Sequence, residues 1–444
     1  MLLKFPIKKN ITILALGAES AGNFSVYSHP HYPLPLSKGE MSAGQRGLEQ
    51  GRSIYLSPDF GDLLEEKKWH NYQKAVLKYL KNNKIKPEII LTDLHPLFKT
   101  SAWGKELAKK YKAKFIPVQH HHAHIFSAIG DKLINPANYK LPSINYVIAI
   151  DGTGYGTDEK IWGGEVFVIE NIYNCHSREG GNPVAKYKIR RIGHLENQIL
   201  IGGDLAIQEP ARMLISILYK VFSDSSSPAC GRGCRVLATG EGGKKENIYS
   251  FVKKYYNQNE FELLYNQLQQ NFNCLETSSA GRILDALSLL LGFCKNQRDY
   301  KHQPINLLEK SSTKPFTNLK PKIIKNKDGE YILDTTYLFK YLLSYLRPYL
   351  HTKKDTLANK KKLAATAQLY IAQGLYEIIK LSTPSPFSKG GIQGDSDALV
   401  SGGLANNKII SSFLESKGVY GAKKIPRGDA GLSFGQIVYW LLSK

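Results

Sequence analysis

Cysteine is scarce in this 444-residue chain, and the five that occur (Cys175, Cys230, Cys234, Cys274 and Cys294) form an odd, scattered set, which excludes a disulfide framework. Long apolar runs are also missing. None approaches the roughly 18 residues of a spanning helix, so no membrane partner is expected. Acidic residues are outnumbered, 38 against 60 Lys and Arg, which leaves a formal charge of +22. Such a balance is the usual footprint of phosphate binding. Here the basic residues are dispersed, as in residues 67–86 and 357–363, instead of forming one stripe with interleaved aromatics. The charge therefore reads as solvated background, and a nucleic-acid partner is not expected. A composition of 42% hydrophobic and 11% aromatic residues can build a core and excludes wholesale disorder. At about 150 residues per domain, the length suggests three domains or two large ones. Lys8 and Lys9 before an apolar stretch imitate a weak signal peptide, but the β-branched start at Ile11 and Glu19 directly after the run favour a buried strand. A cytoplasmic protein is expected.

Strand and helix patterns alternate along the chain, which indicates an α/β fold. Residues 11–18 and 24–27 read as a hairpin and 54–56 as a further strand. Residues 69–82 carry apolar side chains at helical spacing, 88–93 form a buried strand, 102–111 a helix, and 115–118 a strand leading into a helix near His120. Residues 145–151 form a strand that ends on a Gly-rich turn, and 398–401 another. Four stretches rich in Pro, Gly, Ser and Lys break the pattern: 28–51, 174–183, 223–245 and 382–397. The first and last share a near-repeat, with Pro-Leu-Pro-Leu-Ser-Lys-Gly from Pro33 matching Pro-Ser-Pro-Phe-Ser-Lys-Gly from Pro384. They read as inserts tolerated at surface turns. Cys230 and Cys234 fall inside one and make only half a zinc site, so they read as incidental.

The strongest local motif is Gln119-His120-His121-His122-Ala123-His124. On a helix, positions i and i+4 share a face, so His120 and His124 can hold one metal ion, while His121 and His122 point elsewhere. Imidazole suits Zn or Fe, and a catalytic site needs a third protein ligand and an open position. Asp151-Gly152-Thr153-Gly154-Tyr155-Gly156 places a carboxylate and backbone N–H groups where phosphate can approach, or else is an ordinary Gly-rich hairpin. Ser401-Gly402-Gly403 with Asn407 reads as strand, Gly pair and helix start, a geometry that receives anions and nucleotide groups. Asp429, in Gly428-Asp429-Ala430-Gly431, is either a carboxylate ligand near the His pair or the N-cap of the helix that follows. A fifth motif, Gly202-Gly203-Asp204, runs on to Glu209-Pro210-Ala211-Arg212.

The order of these motifs, together with LSPDFGDL (56–63), TDLHP (92–96), WGGE (162–165) and SSAGRILDALSLLLG (278–292), resembles the C-terminal part of the hydrogenase-maturation carbamoyltransferase HypF family. That resemblance implies two actin-like (ASKHA) lobes, residues 1–143 and 144–444, with nucleotide and metal in the cleft between them. It implies a metal-dependent transfer of the carbamoyl group of carbamoyl-adenylate to the C-terminal Cys of the partner HypE, with release of AMP. His120, His124 and Asp429 would be metal ligands and Asp151 a further one, around one Zn or Fe ion. Asp151 and Thr153 would be the catalytic pair. Gly152, Thr153 and Gly154 would cradle the phosphate of ATP, AMP or carbamoyl-adenylate. Gly402, Gly403 and Asn407 would meet the adenosine, with Asp204 and Glu209 near the ribose. The nucleophile would come from the partner. The sequence departs from the family at 17–24, where GAESAGNF replaces GAELKNTF, and at 300–304, where YKHQP replaces a Gly-Gln-Ala stretch. The acylphosphatase-like, zinc and YrdC-like parts are absent from the sequence, so a separate polypeptide is expected to supply the adenylate. Two alternatives share the fold: a tRNA threonylcarbamoyl transferase, and an inactive nucleotide-binding remnant.

Overall fold

Alternation along the first buried strand sets the layering. In the structure, a computed structural model, β2 (Ile13–Ala15) turns Ile13 and Ala15 to one face and Leu14, with Leu16 beyond it, to the other. All four side chains are buried, so this strand lies between two apolar layers. The structure describes residues 1–7, 9–28, 52–134, 144–172, 186–223, 241–346, 356–383 and 396–443. The four insert-like stretches lie almost wholly outside the described residues, as do Cys175, Cys230 and Cys234.

The first sheet joins β1 (Leu2–Lys4), β2, β3 (Ser25–Ser28), β4 (Ser53–Leu56), β5 (Ile89–Asp93) and β6 (Lys114–Val118) in the order β1-β4-β3-β2-β5-β6. Helices α1 (Glu66–Asn82) and α2 (Lys99–Tyr111) cover its outer face. Tyr72, Val76 and Leu80 of α1, each four residues apart, meet Trp103 and Leu107 of α2 over Leu14, Val26 and Ile90.

The second sheet is built from β7 (Ile144–Tyr155), β8 (Ile161–Ile172), β9 (Lys186–Leu195), β10 (Gln198–Ile201), β11 (Cys274–Thr277), β12 (Ile323–Lys325), β13 (Tyr331–Leu333), β14 (Ser396–Ser401) and β15 (Tyr420–Gly421). Its main path runs β12-β13-β9-β8-β7-β14-β15. The two sheets share one topology. In β4-β3-β2-β5-β6, as in β9-β8-β7-β14-β15, three antiparallel strands are followed by two parallel ones on the far side of the first. This duplicated α/β architecture is the actin-like fold.

Two helices fill the layer between the sheets. Helix α3 (His120–Leu133) and the helix Leu432–Ser443 pack against Ile13, Ala15 and Leu91 on one side and Val147, Ala149 and Phe167 on the other. Contact between them is close: a Cβ on Gly435 would overlap Ala123 O, so only Gly fits there. The carboxyl ends of β5, β7 and β14 and the start of α3 thus converge at one edge of the central layer, the position at which open α/β sheets present ligand sites.

Candidate metal centre

Gln119 begins the site. Its side-chain Oε1 accepts from His122 N–H at 2.8 Å, capping α3 directly after β6. His120 and His124 then lie one turn apart on the inward face. Asp93, the last residue of β5, holds His120 Nδ1 with its Oδ2 at 2.6 Å, which leaves His120 Nε2 facing Asp151 Oδ2 at 3.2 Å and Asp429 Oδ1 at 3.7 Å. His124 Nε2 lies 3.3 Å from Asp151 Oδ2 and 3.4 Å from Asp429 Oδ1. One donor atom from each of His120, His124, Asp151 and Asp429 falls within 4.8 Å of all the others.

The chemistry of this set fits a divalent cation. Asp429 Oδ1 and both ring nitrogens of His124 are buried without a well-formed hydrogen bond, and the buried Asp151 carboxylate faces that of the partly buried Asp429. Such groups are costly in a low-dielectric setting unless a cation neutralises them. Burial works to raise the Asp151 carboxyl, but the hydrogen bond from His120 and the close His124 imidazole outweigh it and hold it well below the usual range. Two imidazoles and two carboxylates suit Zn or Fe. His120 carries the carboxylate partner that fixes ring orientation in metal sites. Asp93→Asn is therefore expected to weaken metal binding roughly 10–100-fold, read by competition with a chromogenic chelator.

The turn expected at 151–156 is instead part of a strand. β7 continues through it, and its pairing with β8 jumps from Ile150↔Gly164 to Gly154↔Trp162, so Asp151, Gly152 and Thr153 bulge out of the ladder. This bulge aims the Asp151 carboxylate at the His pair. Neither Gly152 nor Gly154 has left-handed backbone; Gly154 serves close approach, since a Cβ there would stand 2.5 Å from His121 Cε1 and 2.7 Å from His120 Cδ2. Opposite, Gly402 adopts φ +107 and its missing side chain would overlap Ile150 O, which brings Gly403 N–H to Asp151 Oδ1 at 2.9 Å. Gly402 and Gly403 thus sit at the cluster, and Thr153 is half-buried in the bulge.

Asp429 does not cap the last helix. It opens a 3₁₀ turn, Asp429–Gly431, with Gly428 in the cap position, while its Oδ2 accepts from Ser20 Oγ and lies 3.5 Å from Lys301 Nζ. Asn407 lies off the cluster. Its side chain caps helix Lys408–Ser416 through Ile409 N and Ile410 N and donates to Gln368 Oε1 at 2.7 Å. Glu209 accepts from Arg212 Nε at 2.7 Å and Tyr256 OH at 2.8 Å, and Asp204 is exposed, with its charge acting on His95. His121 packs beside Glu165, and His122 against Tyr439 and Phe167. Sequence reasoning passed over Asp93, Ser20 and Lys301. Only Asp93 left a signal, an acidic residue at the end of a buried strand.

A family model described as a carbamoyltransferase, Kae1-like domain, second subdomain, matches residues 147–436, and one described as the HypF Kae1-like domain matches residues 36–131. A probable carbamoyltransferase HypF of Methanocaldococcus jannaschii is 35% identical over 83% of this chain and 40% of its own length. A carbamoyltransferase HypF homolog of Cupriavidus necator is 26% identical over 88% of this chain and 86% of its own. Among solved structures, a full-length HypF crystallised in a phosphate- and nucleotide-bound form superimposes with a TM-score of 0.70 at 23% identity, covering 99% of this chain and 47% of that one. The chain therefore spans less than half the length of the M. jannaschii relative and of that structure.

Proposed function

Because the chain belongs to the HypF carbamoyltransferase family, we propose that it transfers the carbamoyl group of carbamoyl-adenylate to the C-terminal cysteine of HypE during nickel–iron hydrogenase maturation. The observation that carries this reading is the cluster of His120, His124, Asp151 and Asp429 beside a glycine-lined bulge between the lobes. The partner's thiolate attacks the carbamoyl carbon. A C–S bond forms, the C–O bond to the adenylate phosphate breaks, and AMP departs with that oxygen and the electron pair. A divalent ion held by the four ligands would polarise the carbonyl and offset charge on the leaving phosphate.

The chain's own residues orient these pieces. Asp93 fixes the His120 ring, Gly403 N–H fixes one Asp151 oxygen, and Ser20 fixes Asp429. An external thiol agrees with the cysteines. Burial pushes the Cys294 thiol up to about 11 and raises that of Cys274, so neither described cysteine is an activated nucleophile. A solved HypF holding phosphate and nucleotide supports an adenylate ligand. In this reading the carbamoyl-adenylate is made outside these two lobes. Among the described residues no helix is long and apolar enough to cross a membrane.

The test supplies carbamoyl-adenylate to the metal-loaded chain with a Cys-terminated HypE peptide. The expected result is peptide heavier by one carbamoyl group and an equal amount of AMP. AMP release that requires tRNA, with the peptide unchanged, would overturn the proposal.

A further inference from the structure

A charge imbalance is buried directly behind the bulge. Helix Ala280–Leu291 starts at Ser279, whose Oγ accepts from Arg282 N–H at 3.0 Å and donates to Gly152 O. The positive end of that helix therefore abuts the bulge, close enough that a Cβ on Gly281 would lie 2.7 Å from Gly152 Cα. Within its first turn, Arg282 is 4% exposed, and it shares a single carboxylate with the equally buried Arg298. Asp285 Oδ2 lies 3.0 Å from Arg282 Nη1 and 2.7 Å from Arg298 Nη2. Two guanidinium groups against one carboxylate leave a positive charge over, and a buried unpaired charge is expensive.

The surplus has a direction. Arg282 spends Nη1 on Asp285 and on Ile207 O at 3.3 Å, while its Nε is buried without a partner. Its Nη2 lies 3.8 Å from the position a Gly152 Cβ would take, and no other heavy atom outside the adjoining residues comes within 4 Å of that position. Gly152 is thus a window between the guanidinium and the cleft. The same network reaches the opposite rim. Arg298 Nη1 donates to Lys301 O at 2.6 Å, bracing the backbone that brings Lys301 Nζ to within 3.5 Å of Asp429 Oδ2.

We propose that Arg282, the N-terminal end of helix Ala280–Leu291 and Lys301 together bind the phosphate of the nucleotide, with Gly152 as the opening through which the guanidinium reaches it. This rests on the carbamoyl-adenylate reading and deepens it by naming the groups that take the leaving group's charge. The charges balance. A divalent ion offsets Asp151 and Asp429, and the surplus charge of the arginine pair plus Lys301 then faces a phosphate monoester of about −1.5 to −2. AMP is therefore held in preference to adenosine.

Calorimetric titration of the Zn-loaded full chain with AMP and with adenosine tests this. The native chain is expected to bind AMP at least about tenfold more tightly than adenosine, the scale of a charge-assisted hydrogen bond. Arg282→Gln should remove that preference while adenosine affinity and metal content hold, and Arg282→Lys should restore part of it. Two variants keep the test decisive if the buried substitution does not fold. Gly152→Ala adds a methyl at ordinary contact distance on backbone that is not left-handed, and Lys301→Gln changes a side chain that is 44% exposed. Each should weaken AMP roughly three- to tenfold and leave adenosine unchanged. An AMP preference that survives in the variants overturns the inference alone. Failure of the native chain to bind AMP overturns the nucleotide reading and this inference with it.

Discussion

His124→Ala is expected to lower bound metal to less than half the native content after dialysis, measured by elemental analysis. His124 is the sharpest probe of the cluster because its Nδ1 has no hydrogen-bond partner and its Nε2 faces the Asp151 and Asp429 carboxylates, so the substitution removes a ligand and its polar losses fall within the cluster. His120 differs, since its loss would also strand the buried Asp93 carboxylate. Three ligand atoms would remain, from His120, Asp151 and Asp429, with both carboxylates still facing each other. The imidazole volume lost at a fully buried position costs some packing, so a thermal melt run beside the metal assay separates ligand loss from unfolding. Unchanged metal content in a folded variant would remove the His pair from the site.

Asp131→Ala is expected to cause the largest loss of stability. This fully buried carboxylate, at the far end of α3, accepts from Tyr420 OH at 2.6 Å and from the backbone N–H groups of Lys423, Lys424 and Ile425 at 2.9, 2.7 and 2.6 Å. Removing it takes the acceptor from the buried Ile425 N–H and from three part-buried donors, at about 1–3 kcal/mol for the buried one and less for the others. For a chain of this length a total of at least about 3 kcal/mol corresponds to a fall in melting temperature of roughly 3 °C or more by calorimetry. The segment it anchors leads directly to Arg427, whose O accepts from Gly402 N–H at 2.8 Å, and then to Asp429. Metal affinity should therefore fall as well, although Asp131 is remote from the ligands in function. A melting temperature within a degree of native would show that Asp131 does not anchor this segment.

The sequence made some parts of this arrangement legible and hid others for physical reasons. The helix at His120 and the strand ending near Asp151 follow from local periodicity, and i, i+4 spacing alone suffices to pair His120 with His124. Residues 151–156 read as a turn because glycine is a common turn residue. Here Gly154 is required by the His120 and His121 rings packed against it, a tertiary cause that no local pattern records. Ser20 and Lys301 reach Asp429 from separations of 409 and 128 residues, across the two sheets. The duplicated strand order was hidden too, because matching topology needs matching hydrogen-bond ladders but not matching residues. Local sequence also leaves Asp429 divided between ligand and helix cap, whereas in the structure it opens a 3₁₀ turn capped by Gly428.

The central claim is that His120, His124, Asp151 and Asp429 hold a metal ion at which carbamoyl-adenylate gives up its acyl group to an external thiol. The most direct measurement follows AMP release from carbamoyl-adenylate with the Cys-terminated peptide, before chelation, after chelation, and after a divalent ion is returned. The account predicts peptide-dependent release that chelation abolishes and the returned ion restores. Release at an undiminished rate in the chelated protein would contradict it.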